Sequence, residues 1–171
     1  MSRRPSQPLE PWRWIGVPAL ISLGATILFA APLRLFGLSA PEPVFPVALA
    51  FAWALVRPSL LGPLVLLLLG LFQDLFWGGP MGMWAIGFLL AYGVALLGRS
   101  LMVGQEIEVI VVWYVGAVLV AIGTAFVLTI INSHAVPNLV AVLWQILATV
   151  VLFPLAQRIL SEFRDADIRF R

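Results

Sequence analysis

The chain has 171 residues, of which 62% are hydrophobic and 11% charged, and its mean hydropathy is +1.06. Soluble domains are typically ~45–50% apolar and ~25% charged, so this composition excludes an ordinary water-soluble globule and makes lipid the outer solvent. The absence of cysteine excludes a disulfide framework or a thiolate metal site, and a net charge of +2 without basic runs argues against nucleic-acid binding.

The chain opens on a Pro-rich polar tail, residues 1–14. The apolar run that follows exceeds the ~7–15 residues of a signal-peptide core, and no small-residue cleavage site precedes Pro32. The expected element is therefore an uncleaved membrane helix from Ile15 to Phe36. Five further apolar segments follow: Pro43–Val56, Ser59–Phe76, Met81–Leu97, Ile107–Ile131 and Leu139–Leu160. A span needs about 20 residues. The second segment falls short, carries Pro43 and Pro46, and is expected to be less tilted, sunk into the bundle, or extended back through Leu38. Turn residues separate the segments at Arg57-Pro58, Gly78-Gly79-Pro80, Gly98 to Gly104 and Asn132 to Asn138. A polar tail, residues 161–171, closes the chain. The expectation is an all-α membrane protein with six transmembrane helices in one bundle, residues 15–160.

All ten basic residues are arginines. Arg3, Arg4, Arg13, Arg57, Arg99, Arg158, Arg164, Arg169 and Arg171 fall on one side of a six-span arrangement, and only Arg34 on the other. Because cytoplasmic loops carry the Lys/Arg excess, both termini are expected in the cytoplasm.

One short stretch departs from hydrocarbon: GLFQDLFWGGPMG, residues 70–82, introduces Gln73 and Asp74 near the outer end of the third segment. Gly62, Leu66, Gly70 and Asp74 recur every four residues and share one helix face, and the glycines permit close helix approach. A membrane carboxylate is costly unless satisfied, so Asp74 is expected to face inward. Two readings stand side by side. Asp74 either ties the adjoining turn through backbone N–H groups, the preferred reading, or takes part in ligand or proton chemistry. An outer polar cluster of Asp74, Arg34 and Gln145 is expected, with an Asp74–Arg34 ion pair as one form of it, and with Asn132, His134 and Asn138 at the same level. Trp77 reads as an interfacial anchor, His134 as a surface histidine, and Gly79, Pro80 and Gly82 as a tight turn.

Gly87, Ala91 and Ala95 form a ladder of small residues in the fourth segment, and Ala117, Ala121 and Ala125 another in the fifth. Internal packing is preferred over docking of a partner helix, since close approach serves both. One membrane carboxylate and one histidine make no acid/base pair or familiar metal site, so no catalytic residue, cofactor or metal is expected.

Residues 57–99 resemble the bacterial rod shape-determining protein MreD family. The resemblance rests on Arg57-Pro58, Gly62, Gly70-Leu71, Asp74, Gly79, Pro80-x-Gly82 and Tyr92; outside that quarter of the chain only the hydropathy pattern matches. It implies a non-enzymatic, multi-pass subunit of the bacterial inner membrane that serves cell shape and lateral peptidoglycan synthesis. The implied partners are MreC, the actin-like MreB and a peptidoglycan glycosyltransferase–transpeptidase pair, within membrane lipid. The same family is similar in fold to the vitamin-capturing subunits of energy-coupling-factor transporters, so a small-molecule carrier subunit is the alternative; it would need several polar groups converging on a ligand-sized cavity. A third reading is an assembly factor for another membrane complex.

The arginine distribution yields a direct test. Reporter fusions placed after Arg171 and within residues 133–137 are expected to report opposite compartments; the same compartment for both would remove the six-span arrangement.

Overall fold

The computed structural model describes residues 12–29, 34–35, 38–39, 42–56, 58–102 and 104–168, with side chains for 12, 14–29, 42–56, 58–102 and 104–161. The described chain is helical except for one minimal ladder. A π-helical turn, Trp12–Gly16, leads into α1 (Val17–Phe29). Then β1 (Arg34–Leu35) pairs antiparallel with β2 (Leu38–Ser39), Arg34 opposite Ser39. Next come α2 (Phe45–Val56), α3 (Leu61–Trp77), α4 (Met83–Met102), α5 (Ile107–Ser133), α6 (Leu139–Val150) and α7 (Phe153–Ile168).

The short second segment forms the centre of the bundle. Residues 45–54 of α2 are all buried, and α2 packs against α1, α3, α4, α5, α6 and α7. A fully buried helix should be apolar all round, as α2 is. Its 12 residues rise about 18 Å, against about 30 Å of bilayer hydrocarbon. Both ends are tied inside the protein. At the N-terminal end the Val44 amide donates to Thr149 Oγ1 at 3.1 Å. Pro46 occupies a first-turn position, where a missing N–H costs nothing. At the C-terminal end the Leu55 carbonyl accepts from Arg99 Nε at 3.1 Å, a cation where the helix dipole favours one. Alongside, Trp53 Nε1–H donates to the Trp14 carbonyl at 3.0 Å and anchors the π-helical turn on α2.

Around this centre, α3, α4 and α5 form an antiparallel series in which glycines set the distances. Gly62 lies against Tyr92, and Gly70 against the backbone of Ala85 so closely that a side chain there would overlap it. A methyl on Gly87 would sit 3.0 Å from the Ala121 carbonyl oxygen, and one on Gly98 would meet the Trp113 ring at 2.5 Å. Gly87, Ala91 and Ala95 are buried, as are Ala117, Ala121 and Ala125. Both small-residue ladders therefore lie inside the bundle, where α4 meets α5.

Three boundaries differ from those the sequence suggests. The first helix ends at Phe29, not Phe36, and Arg34 belongs to β1. Pro32 has no N–H to continue the helix and disfavours helical backbone before it. The fourth helix continues through Gly98 and Arg99 to Met102, because Gly98 accommodates the Trp113 ring; the stop comes at Gly104, with φ of 78°. The sixth segment is two helices. Its break at Val151–Leu152 precedes Pro154, which occupies the first turn of α7.

Three runs are long and apolar enough to cross a membrane: α4, α5 and the joined run Leu139–Ser161. The π-turn with α1, together with α2 and α3, adds shorter apolar helices. Large hydrophobic side chains are exposed along α1, α3, α5 and α6, among them Leu28, Leu68, Val112 and Leu143. Apolar surface on this scale is suited to lipid, and the chain is a helical membrane protein.

Packing at the α4–α5 contact gives the second prediction. Ala121→Leu inserts three carbons where no space exists, and overpacking typically costs about 1–3 kcal/mol. The yield of folded protein and the Tm in detergent are expected to fall. Gly123→Leu, at an exposed site on the same helix with open space around it, is expected to leave both unchanged.

Candidate functional site

The α3–α4 corner is organised by Asp74, which is 0% exposed. Its carboxylate accepts two backbone N–H groups: Gly82 N at 2.8 Å on Oδ2 and Trp84 N at 2.9 Å on Oδ1. Both belong to the start of α4, whose first amides have no partners within the helix. A side chain from the preceding helix thus acts as the N-cap of the next, placing an anion at the positive end of the helix dipole. The Asp74 main chain closes its own helix as well, since the Asp74 carbonyl accepts from Gly78 N and from Gly79 N at 3.0 Å.

The turn chemistry follows. Gly78 takes φ of 67° and Gly82 φ of 89°, a region that residues with a Cβ rarely occupy. Pro80 stands between them, and its carbonyl accepts from Met83 N at 3.1 Å. The corner meets α5 at Thr129, whose Oγ1 lies 3.2 Å from Met83 Sδ and 2.8 Å from the Ala125 carbonyl oxygen, two acceptors for its single proton. Next to Asp74 in sequence, Gln73 is 1% exposed, and neither its Oε1 nor its Nε2 has a hydrogen-bond partner among the described residues.

Of the expected cluster of Asp74, Arg34 and Gln145, the two described side chains bond to different partners. Both carboxylate oxygens of Asp74 are taken by turn amides. Gln145 lies on α6 and donates from Nε2 to the Glu42 carbonyl at 3.5 Å. The Arg34 side chain, and with it the Asp74–Arg34 pair, lies outside the described residues. Asn138 caps α6, its Oδ1 accepting from Val140 N at 2.9 Å. Asn132 and His134 are exposed, and His134 ends α5 with φ of 53°. Trp77 is half-buried and meets Trp84 edge-on, with ring centroids 5.4 Å apart.

A second polar group, not anticipated from the sequence, centres on Thr149 of α6, which is fully buried. Its hydroxyl accepts from Val44 N and donates to the Gln145 carbonyl at 2.7 Å, while its carbonyl accepts from Tyr114 Oη at 2.8 Å. Tyr114 also packs edge-on against Phe51 of α2 at 5.3 Å and against Phe153 of α7 at 5.4 Å. Thr149 and Tyr114 sit in uniformly apolar stretches, and their partners are 35 and 105 residues away. The one available signal was a polar side chain within each stretch.

Comparison with protein-family models, curated proteins and solved structures gave no match.

The Asp74 geometry gives the third prediction. Asp74→Ala strands one buried and one half-buried amide, and hydrogen bonds to charged groups are worth roughly 1.5–3 kcal/mol each. The Tm should drop sharply, with faster hydrogen exchange in residues 78–84. Asp74→Asn keeps one acceptor and turns an amide N–H toward the other donor, so it is expected to fall between Ala and the native residue. An Asn variant as stable as the native chain would mean that the carboxylate charge is not what holds the turn.

Proposed function

We propose that this chain is a non-enzymatic subunit of the bacterial inner membrane that acts in cell elongation, in the manner of the MreD family it resembles. It would cross the membrane with six segments, keep both termini in the cytoplasm, and scaffold cell-wall synthesis proteins through helix–helix contacts. One observation carries this reading. Residues on which the resemblance rests meet across one helical hairpin: Gly62 lies against Tyr92, and Asp74 is bonded to Gly82 beyond the turn of Gly79 and Pro80. A motif whose members hold one another in place is a structural signature, and it fits a scaffold better than a reaction centre. Asp74 fits the same reading, because both of its oxygens are spent on backbone amides.

The exposed apolar side chains of α1, α3, α4, α5 and α6 are surfaces available to lipid and to partner helices. The small-residue ladders are already used between α4 and α5, so partner contacts would fall elsewhere. The proposed partners are MreC, the actin-like MreB and the glycosyltransferase–transpeptidase pair.

The test is recovery from mild detergent of the full chain carrying a C-terminal tag, read by mass spectrometry. Cell-wall synthesis proteins are expected among the specific partners, together with restored rod shape when the gene is supplied to cells lacking the corresponding function. Recovery of an ATPase pair with a coupling subunit would instead establish the carrier reading and overturn this one.

A further inference from the structure

Beside the self-consistent Asp74 corner lie polar atoms that no described residue satisfies. Gln73 is 1% exposed, with both amide atoms unpartnered. The indole N–H groups of Trp77 and Trp84 are also buried without a partner. These side chains are linked in pairs. Gln73 and Trp77 are four residues apart on α3 and so share a face, and the Trp77 ring meets the Trp84 ring at 5.4 Å and 80°. Together they present the two N–H bonds of the Gln73 amide, two indole N–H bonds and one carbonyl oxygen.

Buried polar groups in native proteins are almost always satisfied, by protein or by internal water. An unsatisfied amide in an apolar interior is costly, and a Leu or Met would fill the same volume without that cost. The chemistry narrows the occupant. The excess of donors calls for an acceptor, while the Gln73 carbonyl calls for a donor, so the occupant must be both. The near-complete burial of Gln73 restricts it to a very small molecule. A charged occupant would incur the cost of a buried ion. Water meets all of these conditions, and buried waters typically make about three hydrogen bonds to such groups.

We infer that Gln73, Trp77 and Trp84 form an internal hydration site, holding one or two water molecules between the end of α3 and the start of α4. The site would join the two helices next to the Asp74 cap and give the corner a second, water-mediated tie.

The experiment uses the full chain in lipid nanodiscs with ¹⁵N-indole labelling. The signals of Trp77 and Trp84, among seven tryptophans, are assigned through Trp77→Phe and Trp84→Phe. Trp53, whose N–H donates to the Trp14 carbonyl, is the protein-bonded reference. The Trp77 and Trp84 indole protons are expected to show cross-peaks to long-lived water that Trp53 lacks, and a hydrogen-bonded indole signature by ultraviolet resonance Raman. Gln73→Leu is expected to abolish the water cross-peaks of both indoles. Indoles with a free N–H signature, or hydrogen-bonded indoles without water cross-peaks, would overturn the site in the native chain, whether or not the Leu variant folds. Cross-peaks that persist unchanged in a folded Gln73→Leu variant would remove Gln73 from it.

Discussion

Everything in this bundle depends on the enclosure of α2. A helix of 12 residues that is buried along its length cannot hand its terminal amides and carbonyls to water, and lipid offers no substitute. The protein must supply partners at both ends, and those partners fix the surrounding helices. Thr149 receives the N-terminal end and brings α6 and Tyr114 of α5 with it, while Arg99 of α4 receives the C-terminal end. The alanines of α2 let the neighbours come close, and Phe51 and Trp53 fill the remaining volume. The break between α6 and α7 belongs to the same arrangement. It allows Thr149 to use its hydroxyl toward α2 and its carbonyl toward Tyr114, while α7 turns onto α2.

The Asp74 corner applies the same constraint at another helix end. In water an exposed α4 N-terminus would be solvated and the choice of residue 74 would matter little. Here the first amides of α4 are served by a carboxylate from the previous helix, and α3 and α4 are thereby locked in register. Gly70 against Ala85 then sets how closely the two can run. Charge, turn and packing distance act together, so the hairpin behaves as one unit.

How much of this was legible in the sequence depends on the range of the interaction. Apolar run length places α2, α3 and α5 and the start of α4, but not the end of α4, which runs on to Met102; the inward Asp74 follows from a four-residue period together with the cost of an unpaired carboxylate. Its turn partners are only eight and ten residues away, within reach of local reasoning. The ends of α1 and α6 differ from the apolar runs because hydropathy is blind to proline: Pro32 and Pro154 lie inside those runs, yet neither has an N–H to give to a helix. Gln145 was grouped with Asp74 by estimated depth alone. Depth says nothing about which way round the bundle a side chain points, and Gln145 turns instead to the Glu42 carbonyl. Thr149 and Tyr114 act through partners chosen only once the helices are assembled.

The bond between Val44 and Thr149 has a consequence for how the chain is made. The two residues are separated by 105 positions, so during synthesis α2 is complete long before its N-terminal partner exists. Its brevity also makes it a weak candidate for independent partition into lipid. α2 must therefore wait, sheltered by α1, α3 and α4, until α6 arrives to close over it. Assembly is then coupled to the synthesis of α6. A protein truncated before α6 would retain most of its hydrophobic sequence and still lack the group that allows its central helix to end inside the bundle.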